Sequence, residues 1–197
     1  MRFIKENSYD IVKFFIYQIG LAVFSLTLAI PLEAAVEGEK NDAIVQLGVS
    51  ILAIAFYFIL VYTVSWDHGA TDRIKIEGGK TTYDGLKGAK IALLANIPNF
   101  LVSALATVAS LLFADGNAWT GVLGVSLMIL GLIESMYLGT AEMIASALPN
   151  PSTAFYLVKS LCFMLLPLIV VIAAHLGYVL GDKNVKIFGF LGNKSKK

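Results

Sequence analysis

Charge is scarce in this 197-residue chain: 15% of residues are charged, against about 25% in soluble domains. The few charges are also kept apart from the apolar stretches. Of 14 acidic residues, only Glu134 falls inside a long apolar run. Cysteine is limited to Cys162, so no internal disulfide and no cysteine metal cluster can form. That residue reads as a small buried hydrophobe. No long polar segment is present either. The longest is 67–90, too short for a second folded unit. A net charge of +1 gives no electrostatic basis for a nucleic-acid partner.

What the chain has in quantity is hydrocarbon. It is 57% hydrophobic, with a mean hydropathy of +0.77. Five apolar runs cover 14–32, 43–66, 91–114, 119–139 and 160–180. A bilayer core about 30 Å thick is crossed by about 20 helical residues. The expected fold is therefore all-α: one polytopic bundle of about five transmembrane helices, with lipid as its principal partner. Arg2 and Lys5 before an apolar run also occur in signal peptides. The run 14–32 is longer than a typical signal core and four more follow, so it reads as a retained first helix. Cleavage near Ala34-Ala35 is the lesser alternative.

Basic residues set orientation in such proteins. The first loop carries Glu33, Glu37, Glu39 and Asp42 against Lys40. The segment 67–90 carries Arg73, Lys75, Lys80, Lys87 and Lys90. The N-terminus and 67–90 are thus expected in the cytoplasm, and five crossings put the C-terminus outside. The tail 181–197 disagrees, because Lys183, Lys186, Lys194, Lys196 and Lys197 favour the inside. The competing reading makes one late segment re-entrant and returns the tail to the cytoplasm. A tight turn is expected at Asp115-Gly116-Asn117, and a breaker at Pro149-Asn150-Pro151.

Helices 2–3 and 4–5 share a weak pattern. Gly69-Ala70-Thr71-Asp72-Arg73-Ile74 resembles Gly139-Thr140-Ala141-Glu142-Met143-Ile144, and Lys90/Pro98 is spaced like Lys159/Pro167. A repeat of two hairpins about an axis along the membrane normal is one reading; coincidence in a biased alphabet is the other.

Polar groups in hydrocarbon are expensive and need a reason. At 1.5 Å per residue from each run's midpoint, Gln18 lies about 7 Å to the cytoplasmic side, Asn96 about 9 Å and Asn99 about 4–5 Å. Glu134 lies about 6–8 Å and Pro167 about 4–5 Å to that side, with Tyr57 near the same layer. His175 falls about 7–8 Å to the other side, which separates it from Glu134. Pro98 and Pro167 each remove a backbone donor, freeing the carbonyls of Leu94 and Phe163, so Asn96-Ile97-Pro98-Asn99 is the expected kink. The candidate polar site is Glu134, Asn96, Asn99 and Gln18, with Pro98 and Pro167 as kink residues. For the three amides, plain interhelical hydrogen bonding is the more ordinary role. A Lys159–Glu142 ion pair is expected at the membrane edge. Small-residue faces at Ser103, Ala106, Thr107 and Ser110, and at Gly121, Gly124 and Gly131, are expected to serve internal packing before dimerisation.

Enzyme motifs are missing. Gly78-Gly79-Lys80-Thr81 lacks the earlier glycine of a phosphate-binding loop, since Ile74 stands there. Asp67, His68 and Asp72 are too sparse for a metal site. No hydrolytic constellation is present, so no catalytic residue, metal or cofactor is assigned and an enzyme is not expected.

The stretch Trp66-Asp67-His68-Gly69-Ala70-Thr71-Asp72, followed by Gly88 and Asn96-Ile97-Pro98-Asn99, resembles small bacterial membrane proteins of about this length. The resemblance covers mainly helices 2–3. It implies a five- or six-helix protein of the cytoplasmic membrane and carries no activity or functional residue. Two functions follow from the residues. One is a transporter-like module or membrane subunit for a small solute or ion. The other is a non-transporting scaffold, assembly or regulatory protein, with a homo-oligomer or a membrane complex as its setting. A water-filled cavity reaching Glu134 would support the first, and a sealed, lipid-facing or tightly packed Glu134 would count decisively against it.

Overall fold

The computed structural model describes residues 2–35, 39–113, 117–149 and 152–187. The Asp115-Gly116-Asn117 turn and the Pro149-Asn150-Pro151 breaker lie partly outside these residues, as does the tail beyond 187. The described chain is helical, without strands. A short α1 (Arg2–Glu6) precedes α2 (Ser8–Ala35), which continues through Pro31 to Ala35 instead of ending at the proline. The helix α3 (Glu39–Glu77) has 39 residues, a length of about 58 Å. It runs past Trp66, so the Ile74–Glu77 segment is helix and the true connection shrinks to residues 78–86. The later elements are α4 (Lys87–Ala95), α5 (Ile97–Leu111), α6 (Ala118–Ile133), α7 (Leu138–Ala145), α8 (Thr153–Leu165) and α9 (Leu168–Asp182).

Three helical stretches are long and apolar enough to cross a membrane: Ser8–Ala35, Asp42–Glu77 and Thr153–Asp182. Two bent pairs could raise the number to five. The α4–α5 pair bends by 55° at Asn96, next to Pro98. The α6–α7 pair bends by 93° at Glu134, where the chain has no proline. By contrast α8 and α9 read as one span across Pro167.

Directions follow from the contacts. We call the end carrying residues 78–86 the loop end. Tyr57 donates to the Phe14 carbonyl and His68 meets Asp10, so α2 and α3 are antiparallel and the N-terminus lies at the loop end. On α9, Gly177 lies against Tyr62 and Ser65, and Gly181 against Trp66. Residue numbers rise together, so α9 is parallel to α3. The chain after it stays at the loop end: Trp66 Nε1 donates to the Val185 carbonyl at 2.7 Å and Lys186 Nζ sits 4.2 Å from the Trp66 ring centre. Against the expectation that the C-terminal end lies opposite the N-terminal one, the described chain through residue 187 stays at the same end of the bundle as α1 and the start of α2. His175, two residues before Gly177, moves with the helix into the loop-end half.

The reversal comes from α6–α7. The Phe113 and Tyr156 rings meet at a tilt with centres 5.2 Å apart, which puts the start of α8 beside the end of α5 at the far end. α6 descends from there. After Glu134 the numbers on α7 rise as those on α3 fall: Met136 meets Ser50, Gly139 meets Gln46, and Glu142 shares a cavity wall with Asp42. α7 therefore climbs back to the far end. The run 119–139, expected as a simple span, is broken at Glu134 into two arms bent by 93°. The Lys159–Glu142 ion pair is present near that far end.

The expected repeat axis is also corrected. Gly69 lies on a helix heading for the loop end, and Gly139 on one heading away from it. An axis along the helices cannot relate them, which leaves only an axis across the helices.

Glycine contacts explain the close crossings. A Cβ on Gly181 would strike the Trp66 backbone, and one on Gly177 the Tyr62 carbonyl. Ser103, Ala106 and Ser110 are buried as expected. At Gly121, Gly124 and Gly131, however, a Cβ would meet nothing within 4 Å, so this stripe does not serve the internal packing expected of it. The contrast gives a test. Gly181→Val should lower stability by about 1–3 kcal/mol through overpacking, seen as a lower unfolding midpoint in detergent. Gly124→Val should leave the midpoint unchanged; equal losses would contradict the packing described.

Candidate functional site

Glu134 closes α6 with φ −125° and ψ 24°, outside helical geometry. A single 3-10 turn, Ser135–Tyr137, follows. A turn in the middle of an apolar bundle exposes carbonyls that water cannot reach, and each one left unpaired costs about 1–3 kcal/mol. Side chains of α2 and α3 meet that demand. Gln18 Nε2 donates to the Ile133 carbonyl at 3.4 Å. Ser25 Oγ donates to the Ser135 carbonyl at 3.4 Å, and Ser50 Oγ donates to the Met136 carbonyl. Ser135 Oγ donates in return to the Ala22 carbonyl at 2.6 Å. The turn is thus pinned between two helices by four hydroxyl or amide donors.

The acid at its apex is treated differently. Glu134 is 0% exposed, and neither carboxyl oxygen has a hydrogen-bond partner. Tyr57 and Tyr137 are fully buried as well, and the Tyr137 hydroxyl also lacks a partner. Gln18 keeps its Oε1 unpaired beside the turn. The structure therefore gathers Gln18, Tyr57 and Glu134 in one layer, as the depths implied.

Asn96 and Asn99 form a second group. Asn96 Nδ2 donates to the Ala92 carbonyl at 2.9 Å, and Asn99 Nδ2 donates to Asn96 Oδ1 at 3.0 Å. The pair works inside the α4–α5 bend. It does not reach Glu134, whose oxygens are unpartnered. The donors expected for the Leu94 carbonyl are spent on Ala92 and on each other. Tyr137, Ser25, Ser50 and Ser135 were missed by sequence reasoning. A serine in an apolar run most often bonds its own helix, so its spacing carries no sign of a cross-helix role. The one available signal was the Glu134-Ser135 pair itself, two polar residues together in a run that has no others adjacent.

At the loop end, the sparse Asp67, His68 and Asp72 set is dispersed. His68 pairs with Asp10 at 3.2 Å, and no cluster of three metal-ligating side chains occurs among the described residues. Asp72, 7% exposed, instead joins three helices. It accepts from Lys87 at 2.6 Å, and from Lys75 and Tyr178 at 3.1 Å each. Burial raises its pKa, but the Lys87, Lys75 and Tyr178 donors outweigh burial and leave it below the ordinary 3.8.

No family model, curated protein or solved structure matches this chain.

The depressed Asp72 carboxyl has a pH signature. Its stabilisation is fully present above the unfolded-state value and is lost as pH falls through the lower folded value. Asp72→Asn should cost about 1–3 kcal/mol at pH 7. The gap to the wild type should close below about pH 4, read from unfolding midpoints between pH 7 and 3. A gap that stays constant with pH would show that Asp72 is not held as a carboxylate by its lysines.

Proposed function

We propose that this chain is an integral protein of the cytoplasmic membrane that works as a small carrier, alone or as a membrane subunit, for a small cation or a solute moved with one. Glu134 is the group that takes up and releases the proton or cation. The loop end faces the cytoplasm in this reading, because Arg73, Lys75, Lys80, Lys87, Lys90 and the lysine-rich tail then all lie inside. The chain crosses four times, and α6–α7 is re-entrant.

One observation carries the reading. Gln18 Nε2, Ser25 and Ser50 are used to cap the backbone of the turn, while both oxygens of the carboxyl at its apex receive nothing, and the Tyr137 hydroxyl and Gln18 Oε1 near it are unpaired as well. An acid kept for structure would be paired, because an unpaired buried charge is among the costliest groups a protein can hold. Ionisable groups inside a membrane mark ion and proton paths by default. Broken helices meeting at mid-depth are the usual frame for such sites.

Full burial of Glu134 speaks against a standing aqueous pore. It fits a carrier in a closed state, whose site is exposed only when the protein opens. It also favours the second reading, a non-transporting scaffold or regulatory protein in which Glu134 is simply packed.

Flux separates the two. Proteoliposomes loaded with a pH-sensitive dye are challenged with NaCl, KCl and an acid pulse. The wild type should move protons above protein-free vesicles, and Glu134→Gln should lose at least about tenfold of that rate while unfolding no earlier than the wild type. Glu134→Asp should keep part of it. Wild-type vesicles with no flux, or Glu134→Gln with unchanged flux, would remove the carrier reading and leave the scaffold.

A further inference from the structure

The carrier reading leaves open how the sealed acid is reached, and the cavities answer this. A cavity of about 650 Å³ opens at the far end and is lined by Asp42, Gln46, Gly139, Glu142, Ser146 and Phe155, among others. A smaller, partly open recess of about 100 Å³ runs between α2 and α3 from the far end of α2 down to the turn, with Ser25, Ile30, Glu33, Gln46, Ser135 and Gly139 in its wall. Gln46 and Gly139 line both. The two spaces therefore meet where α7 presses on α3. The contact is backbone against backbone: a Cβ on Gly139 would strike the Gln46 carbonyl. Ser135, in the recess wall, is the residue next to Glu134.

We propose that Glu134 is reached from the far end through these two spaces, that the Gln46–Gly139 contact is the constriction between them, and that the route admits small cations. This rests on Glu134 being the exchanging group. The lining carries the sign of the charge. Asp42 and Glu142 stand in the outer cavity and Glu33 in the recess, and none of the described lining residues is basic. Asp42 Oδ1 is buried without a partner, so it is available to a passing cation, whereas Glu142 is held by Lys159. Size sets the upper limit. The recess has room for a few waters or one small ion, and not for an organic solute. The loop end is a poor alternative for a cation. Its cleft is lined by Lys75, Lys80 and Lys87, and its buried acid, Asp72, is fully engaged.

Accessibility of single cysteines tests the route without any transport assay. In a full-length Cys162→Ser background, Gln46→Cys and Ser25→Cys are placed in sealed vesicles of each orientation. Gln46→Cys should react with an impermeant cationic methanethiosulfonate added from the far side. That reaction should be at least about tenfold faster than with the anionic reagent, as an acidic cleft concentrates cations. Adding Asp42→Asn should shrink this ratio. Ser25→Cys, behind the constriction, should resist the bulky reagent and react with Ag⁺ from the far side alone. Should Gln46→Cys fail to fold, Ala43→Cys on the same outer wall is read in its place. Reaction from the loop side, equal rates for both reagents, or a folded but unreactive Gln46→Cys would overturn the route. Labelling from the far side with unchanged flux in Glu134→Gln would keep the route and reject the carrier. Loss of flux in Glu134→Gln with labelling from the loop side would do the reverse.

Discussion

A backbone that leaves its helix inside an apolar bundle must find donors for its own carbonyls, and this requirement organises the protein. The turn at Glu134–Tyr137 is possible because Gln18, Ser25 and Ser50 reach it from α2 and α3. Non-helical backbone at membrane depth is tolerated only when buried in protein or facing a wet cavity. Here it is buried, and the two longest helices form the wall that buries it. Without those donors α6 would continue straight, α7 would emerge at the loop end, and the last helix would run the other way.

That direction is what lets α9 lie parallel to α3. Gly177 and Gly181 bring the two backbones into contact at Tyr62 and Trp66, and Asp72 locks α3, α4 and the Tyr178 face of α9 together beyond the apolar stretch. The loop end thus gathers Lys75, Lys87 and Lys186 together with α1 and the end of α9. The far end holds the acid-lined cavity and the close contact between Gln46 and Gly139.

Much of this was legible in the residues. The apolar runs locate the helices, Pro98 marks the bend beside Asn96, and depth counting brings Gln18, Tyr57 and Glu134 to one level. Three features were hidden. The sharpest bend has no proline, because it is made by competing side-chain donors on other helices and not by a missing N–H. The serines that supply those donors look like ordinary helix serines until their neighbours are known. The helix ends were also set short, since α3 continues for about three turns beyond Trp66 in a segment whose charge resembles a loop. The lysine-rich tail disagrees with an odd number of crossings, and the break at Glu134 is where a re-entrant reading would remove the disagreement.

The re-entrant hairpin is the claim on which the carrier, the orientation and the cation route all rest. Its most direct test is the side on which its two arms surface. In a Cys162→Ser background, Ala118→Cys begins the descending arm and Ala147→Cys follows the ascending one. An impermeant thiol reagent added to intact cells should label both from outside. Labelling of Ala147→Cys only after the cells are permeabilised would make 118–145 a true span and contradict the hairpin.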